Sequence, residues 1–178
     1  NAIKRLSTFH PERPMPKIFR LVKNGKLIEG VYEGEPLNTP SMFCVADALD
    51  SLMWIKEIGG LSETIRRSNE NFKCLQGWVD KTPWIENLVS DPRNRSNTSV
   101  CLKFSDERLN SQIPDEKTRF VKEFVALLEA ENAAFDIKGH RNAPPGLRIW
   151  CGATINLDDI QKLLPWLEYC FHEIISTY

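Results

Sequence analysis

What the chain lacks narrows its chemistry before any motif is found. Its five cysteines, Cys44, Cys74, Cys101, Cys151 and Cys170, are odd in number and contain no C-x-x-C pair. That excludes a zinc knuckle and provides no disulfide framework, and apolar neighbours mark these residues as reduced core fillers. Only three histidines occur, two of them, His10 and His172, near the ends, and none has the spacing of a metal-binding pair. No G-x-G-x-x-G, P-loop or G-x-S-x-G elbow is present. No apolar run reaches the roughly 18 residues of a membrane span, and the opening residues carry no signal-peptide pattern. A formal net charge of -1 offers no basic field for nucleic acid. The expected partners are therefore neither membrane nor nucleic acid, and no metal site is expected.

What remains is an ordinary globular composition, 42% hydrophobic and 26% charged over 178 residues. That length suffices for one domain with a core, plus a piece of another. The first residue is Asn1, and the chain reads as the interior of a longer protein. Residues 1 to 40 are dense in proline, glycine and turn dipeptides. Within them "KIFRLVKNGKLIEGVY" predicts two short strands about an Asn24-Gly25 turn. At Thr39-Pro40-Ser41 the pattern becomes helical, with Met42, Val45, Ala46, Leu49, Leu52 and Met53 at helical spacing up to Gly59-Gly60. A second helix is predicted from about Ser62 to Val79, with Ile65, Phe72, Leu75 and Val79 on one face, and a loop over 80–96.

An α+β block follows. "TSVCLKF" alternates as a half-buried strand, and Pro114 opens a helix facing inward through Phe120, Val121, Phe124, Leu127 and Leu128. "AAFDIKG" and "LRIWCGA" predict two further strands. Asn156 caps a last helix whose first turn carries Asp158 and Asp159 and whose course Pro165 should kink or restart. Trp54, Trp78 and Trp166 are expected in the core.

Two stretches offer anion chemistry. "GHRNAPPGLRIWCGAT" (139–154) gathers His140, Arg141 and Arg148 about a Pro-Pro-Gly turn. In a strand Leu147, Ile149 and Cys151 share one face, so Arg148 and Trp150 share the other. There Arg148 offers a planar fork to a carboxylate, while His140 adds adjustable charge for a phosphate. The three groups suit a ligand with two anionic ends; a solvated loop is the alternative. In "LNTPSMF" (37–43), Asn38, Thr39 and Ser41 place side-chain donors where a helix begins, which makes either a phosphate cradle or an ordinary N-cap.

Together "MPKIFRL" (15–21), "GKLIEGVYEGEPLNTPSM" (25–42), "IGGL" (58–61), "RSNTSVCLKF" (95–104) and "APPGLRIWCGAT" (143–154) resemble the C-terminal part of the phosphoserine aminotransferase family. These are class V aminotransferases, which use pyridoxal 5'-phosphate on a fold-type I scaffold. The resemblance implies an α/β fold, made of the last part of the large cofactor domain and the small C-terminal α+β domain. The implied boundaries are 1–45 for the remnant of the large domain, 46–59 for a connecting helix and 60–178 for the small domain. It implies transfer of an amino group between phosphoserine or glutamate and 3-phosphooxypyruvate or 2-oxoglutarate, in serine biosynthesis, with vitamin B6 biosynthesis as a second role of many members, in a cytoplasmic homodimer. Asn38 and Thr39 would reach the cofactor phosphate of the neighbouring subunit. His140 and Arg141 would hold the phosphate or side-chain carboxylate of the substrate, and Arg148 its α-carboxylate. The interval from His140-Arg141 to Arg148 is one residue longer than in some members. The Schiff-base lysine of the family lies upstream of residue 1, so no catalytic residue is carried over and the chain alone should be inactive. The rival readings are a noncatalytic anion-binding module and a related class V enzyme such as a desulfurase. A desulfurase needs a reactive cysteine on a mobile loop, whereas Cys101 and Cys151 lie in predicted strands.

Overall fold

Asn24 and Gly25 both take positive φ, 53° and 74°, and this turn geometry matches the twist of a tight hairpin. It pairs β1 (Val22–Lys23) with β2 (Lys26–Leu27). The computed structural model describes residues 2–178. These fall into two units divided between Met53 and Trp54. The hairpin belongs to the first, with the helix α1 (Ala2–Thr8) and 3-10 turns at Lys17–Phe19 and Glu29–Tyr32. The division falls inside the helix α2 (Met42–Glu57). No described residue before the division is buried, since such short elements present little continuous apolar surface to one another.

The second unit holds the core. The helix α3 (Gly60–Val79) follows Gly59 and Gly60, whose φ values of 118° and 76° turn the chain sharply at its start. Then come the strands β3 (Ile85–Asn87) and β4 (Ser99–Phe104), a short helix α4 (Glu107–Asn110), and α5 (Pro114–Ala130). The strand β5 (Leu147–Trp150) and α6 (Leu157–Ile175) complete it. The sheet has the order β3-β4-β5 and is antiparallel throughout. Val100, Leu102, Leu147 and Ile149 face one side and join one core with Leu75, Phe120, Phe124, Leu128, Leu167 and Phe171 of the helices. The arrangement is a sheet with helices on one face, α6 packing against both α3 and α5.

Aromatic packing locks this core. Trp84 stacks on Phe171 at 4.0 Å between ring centroids and 4° between planes, and Phe104 meets Phe120 and Phe124 edge-on at 4.9 and 5.2 Å. The indole donors are satisfied by one carboxylate: Glu168 accepts from Trp78 Nε1 at 2.8 Å and from Trp84 Nε1 at 3.2 Å.

The structure departs from the sequence-based expectations at several points. The 80–96 segment contains β3, which pairs Ile85 with Phe104; its three residues are too short to show a period. "AAFDIKG" is not a strand. Asn132 and Asp136 take φ of 55° and 53°, left-handed positions that break extended geometry, and only Lys138 bridges to Leu147. The helix α6 runs unbroken through Pro165. Pro165 and Gln161 are both exposed, so the carbonyl that proline leaves without a donor faces water. Cys44 and Ile65 are exposed. Trp78 and Trp166 are half-buried and pack against the core as expected, Trp54 is half-buried without joining it, and Trp84 is the buried tryptophan.

Two expectations follow. Asn71 is 1% exposed and its amide donates to Ile155 O at 2.9 Å and to Cys151 O and Gly152 O at 3.4 Å. Replacing it with leucine strands those carbonyls, so Asn71→Leu should lose about 2–3 kcal/mol in urea denaturation; a loss under about 0.5 kcal/mol would contradict this. Burial pushes the Cys151 thiol up to about 12 and the Cys170 thiol up to about 11. A raised value leaves less thiolate, roughly one part in 10,000 and one in 1,000 at pH 8. Iodoacetamide at pH 8 should therefore modify Cys44 and spare Cys151 and Cys170 in the folded chain, as read by peptide mass mapping.

Candidate functional site

Burial of Leu147 and Ile149, 1% and 2% exposed, turns Arg148 and Trp150 onto the helix-free face of the sheet. There Arg148 lies opposite Cys101, and Trp150 opposite Ser99, in the β4–β5 register. The Arg148 side chain is 39% exposed, and its Nη2 sits 3.4 Å from Oδ2 of Asp136, a carboxylate that is itself 91% exposed. A long, solvated pair of this kind contributes little stability and yields readily to a better-placed anion. Phe135, Asp136, Ile137 and Ser99 complete the walls of a cleft of about 350 Å³ around Arg148 and Trp150.

The direction of the Trp150 ring is set from outside the strand. Its Nε1 donates to Thr154 Oγ1 at 3.1 Å, and the turn carrying Thr154 is tied to α3. Arg67 Nε donates to Ala153 O at 2.7 Å and Arg67 Nη2 to Asn156 Oδ1 at 2.8 Å, while Asn71 holds the three carbonyls described above. Asn156 in turn forms a reciprocal capping box with Asp159 at the start of α6.

His140 and Arg141 lie elsewhere. The 139–146 loop is pinned at its base by Gly139 N donating to Gly146 O at 2.9 Å. Gly146 is required there, because a Cβ would run into the Leu102 carbonyl oxygen. Both side chains are exposed, His140 Nδ1 accepting from Asn142 N at 3.3 Å. With Lys138 they line a cleft of about 250 Å³ against Thr118 and Val121 of α5. The three candidate cations are thus not brought together. Arg148 opens into one cleft, His140 and Arg141 into another, and among the described residues no hydrogen bond or ion pair joins them.

Asn38 and Thr39 lie in the first unit, exposed, ahead of α2. Ser41 Oγ accepts from Cys44 N at 3.4 Å, and Val45 N donates to Ser41 O at 3.1 Å. The amides of Met42 and Phe43 precede the first intrahelical bond and so remain available to a ligand.

Four residues of the Arg148 region escaped the sequence reading: Asp136, Thr154, Arg67 and Asn71. Asn71 leaves a signal, being a polar residue in helical register with Leu75 and Val79 and so placed in the core. Asp136 leaves none, since its role depends on a left-handed turn. The thiols nearest the strand offer no ready nucleophile: Cys101 is half-buried in β4, and Cys151 is buried with its thiol held up near 12.

No protein-family model matches the chain. Among curated proteins it is 43% identical over 172 residues to the phosphoserine aminotransferase of Methanosarcina mazei, covering 96% of this chain and 43% of that protein. It is likewise 43% identical over 173 residues to the Methanosarcina barkeri enzyme, covering 96% of this chain and 44% of the relative. Among solved structures, phosphoserine aminotransferase from Bacillus circulans subsp. alkalophilus aligns with a TM-score of 0.69 at 21% identity, over 89% of this chain and 39% of that one. A pyridoxal phosphate-bound phosphoserine aminotransferase from Trichomonas vaginalis aligns with a TM-score of 0.61 at 24% identity, over 78% and 36%. The fold is therefore that of the matching part of these enzymes. Over nearly its whole length the chain is similar to these phosphoserine aminotransferases, and it spans less than half the length of the curated relatives it matches.

Proposed function

We propose that this chain is the C-terminal part of a phosphoserine aminotransferase and supplies its substrate-binding groups. The observation that carries the reading is 43% identity sustained over 96% of the chain. The reaction would move an amino group between phosphoserine and 2-oxoglutarate, giving 3-phosphooxypyruvate and glutamate, with the vitamin B6 precursor 4-phosphohydroxythreonine as a possible second substrate. A cytoplasmic homodimer belongs to the same reading.

Pyridoxal phosphate, when bound, supplies an electron sink for the bonds around the amino-bearing carbon. The residues present fit its phosphate end: Asn38 and Thr39 provide donors, and the first amides of α2 provide N–H groups at the positive end of a helix of 16 residues. Arg148 has the direction and freedom to take a substrate carboxylate through two parallel N–H bonds, displacing Asp136. Trp150 walls the same cleft and limits how the carboxylate can turn. His140, Arg141 and Lys138 give the second cleft the charge that a phosphate or a side-chain carboxylate requires. Because this cleft and that of Arg148 are separate in one copy, a substrate with two anionic ends is best served by Arg148 of one copy and the loop of another.

The test is a chimera in which this chain replaces the matching segment of the Methanosarcina mazei relative, assayed with phosphoserine and 2-oxoglutarate. It should turn over, and Arg148→Lys within it should lower kcat/KM about 100-fold, because an ammonium cannot form the bidentate pair. The 178-residue chain by itself should show no turnover. A folded, cofactor-loaded chimera without activity would instead favour a noncatalytic anion-binding module.

A further inference from the structure

A second cleft adjoins the loop of His140 and Arg141, and nothing in the aminotransferase reading uses it. Its volume is about 340 Å³, and it lies between the end of β4, α4 and the first half of α5. That volume falls in the range, roughly 300–1,000 Å³, of clefts that hold small molecules. Its floor is apolar: Phe104, Leu109, Phe120 and Val121, with Pro144 and Pro145 of the loop as one wall. Leu109 and Phe120 are 3% and 0% exposed, so this is the edge of the core opening to solvent.

The charge of the cleft has one sign. Lys103 and Lys117 line it, and no aspartate or glutamate does. The Lys103 ammonium is committed to Glu86, at 3.1 Å. Lys117 differs. Its Nζ donates to Asn110 O at 3.1 Å, and no carboxylate pairs with it among the described residues. An ammonium has three protons, so Lys117 holds donors for an incoming anion, directed by a bond to backbone. The neighbouring cleft adds Lys138, His140 and Arg141, again without a carboxylate among its lining residues. Val121, Pro144 and Pro145 are common to both.

We propose that this cleft binds a small apolar carboxylate, an aromatic or aliphatic body on the Phe104–Leu109–Phe120 floor with its acid group at Lys117. The shared Pro144-Pro145 wall means that an occupant bears on the loop that carries His140 and Arg141. The site stands independently of the transaminase reading.

The probe is 4-phenylbutyrate, titrated into the 15N-labelled 178-residue chain and followed by amide chemical shifts, with 4-phenylbutanol as the uncharged isostere. The acid should saturate with Kd about 1 mM, moving Leu109, Lys117, Phe120 and Val121 first and Gly139 and Gly146 with them. The alcohol should bind at least about 10-fold more weakly, and Lys117→Met should remove that difference while leaving the dispersed spectrum of the fold. Equal affinity of acid and alcohol in the unaltered chain would overturn the proposal in favour of a plain apolar cleft. Shifts centred on Lys138, His140 and Arg141 alone, or no saturable shift, would overturn it as well.

Discussion

The constraint on which the rest depends is the alternation of β5. A strand points successive side chains to opposite faces, and the core takes Leu147 and Ile149. Arg148 and Trp150 then have no choice of direction. The register with β4 carries the same rule across, seating Arg148 opposite Cys101 and Val100 opposite Ile149. A slip of one residue would bury a guanidinium and expose Leu147 and Ile149, at a cost no nearby carboxylate could offset. The position of Arg148, the guanidinium proposed to take a carboxylate, is thus a by-product of core packing. It is held further by the Asn71 and Arg67 bonds to the 151–156 turn.

The loop cations obey a different rule. His140 and Arg141 sit on a segment whose ends are fixed by Gly139 and Gly146 but whose side chains meet solvent. They share a cleft with Pro144, Pro145 and α5, and Arg148 lines a different one. Proximity in sequence around a turn therefore did not become a single cluster. If both clefts take anions as proposed, their separate linings suit either two ligands or one ligand held between two molecules.

How much of this was legible in the sequence depends on the interaction involved. The alternation of "LRIW", the Asn24-Gly25 turn, the Pro114 start and the Asn156 cap are local, and each predicted its element. The outward direction of Arg148 followed from two leucine-sized neighbours alone. What was not legible came from long-range contacts. The strand β3 exists because Ile85 and Asn87 pair with residues fifteen or more positions on, and "AAFDIKG" fails as a strand because left-handed Asp136 within it, and Asn132 just before it, override its apolar content. Asp136 beside Arg148, and Trp84 rather than its fellow tryptophans in the core, depend on tertiary arrangement that no periodicity records. The resemblance to an aminotransferase needed no structure, since it rests on whole motifs; the separation of the clefts did.

The two proposed anion-binding regions differ in preorganisation, and that difference has a physical source. Arg148 is carried by a strand whose neighbours are buried. Asn38 and Thr39 precede α2, whose apolar side chains remain in water: Met42 is 73% exposed, Phe43 77%, Leu49 57% and Leu52 63%. Contiguous apolar surface of this kind favours association, because covering it releases ordered water at roughly 25 cal/mol per Å². Until it is covered, residues 2–53 have no fully buried side chain to set against the conformational entropy of ordering them. Donors at the head of such a helix have the right chemistry but no rigid frame. Whatever packs on the α2 stripe would therefore set the geometry of Asn38 and Thr39 together with the stability of the segment, so the ordering of these donors is coupled to assembly in a way that the direction of Arg148 is not.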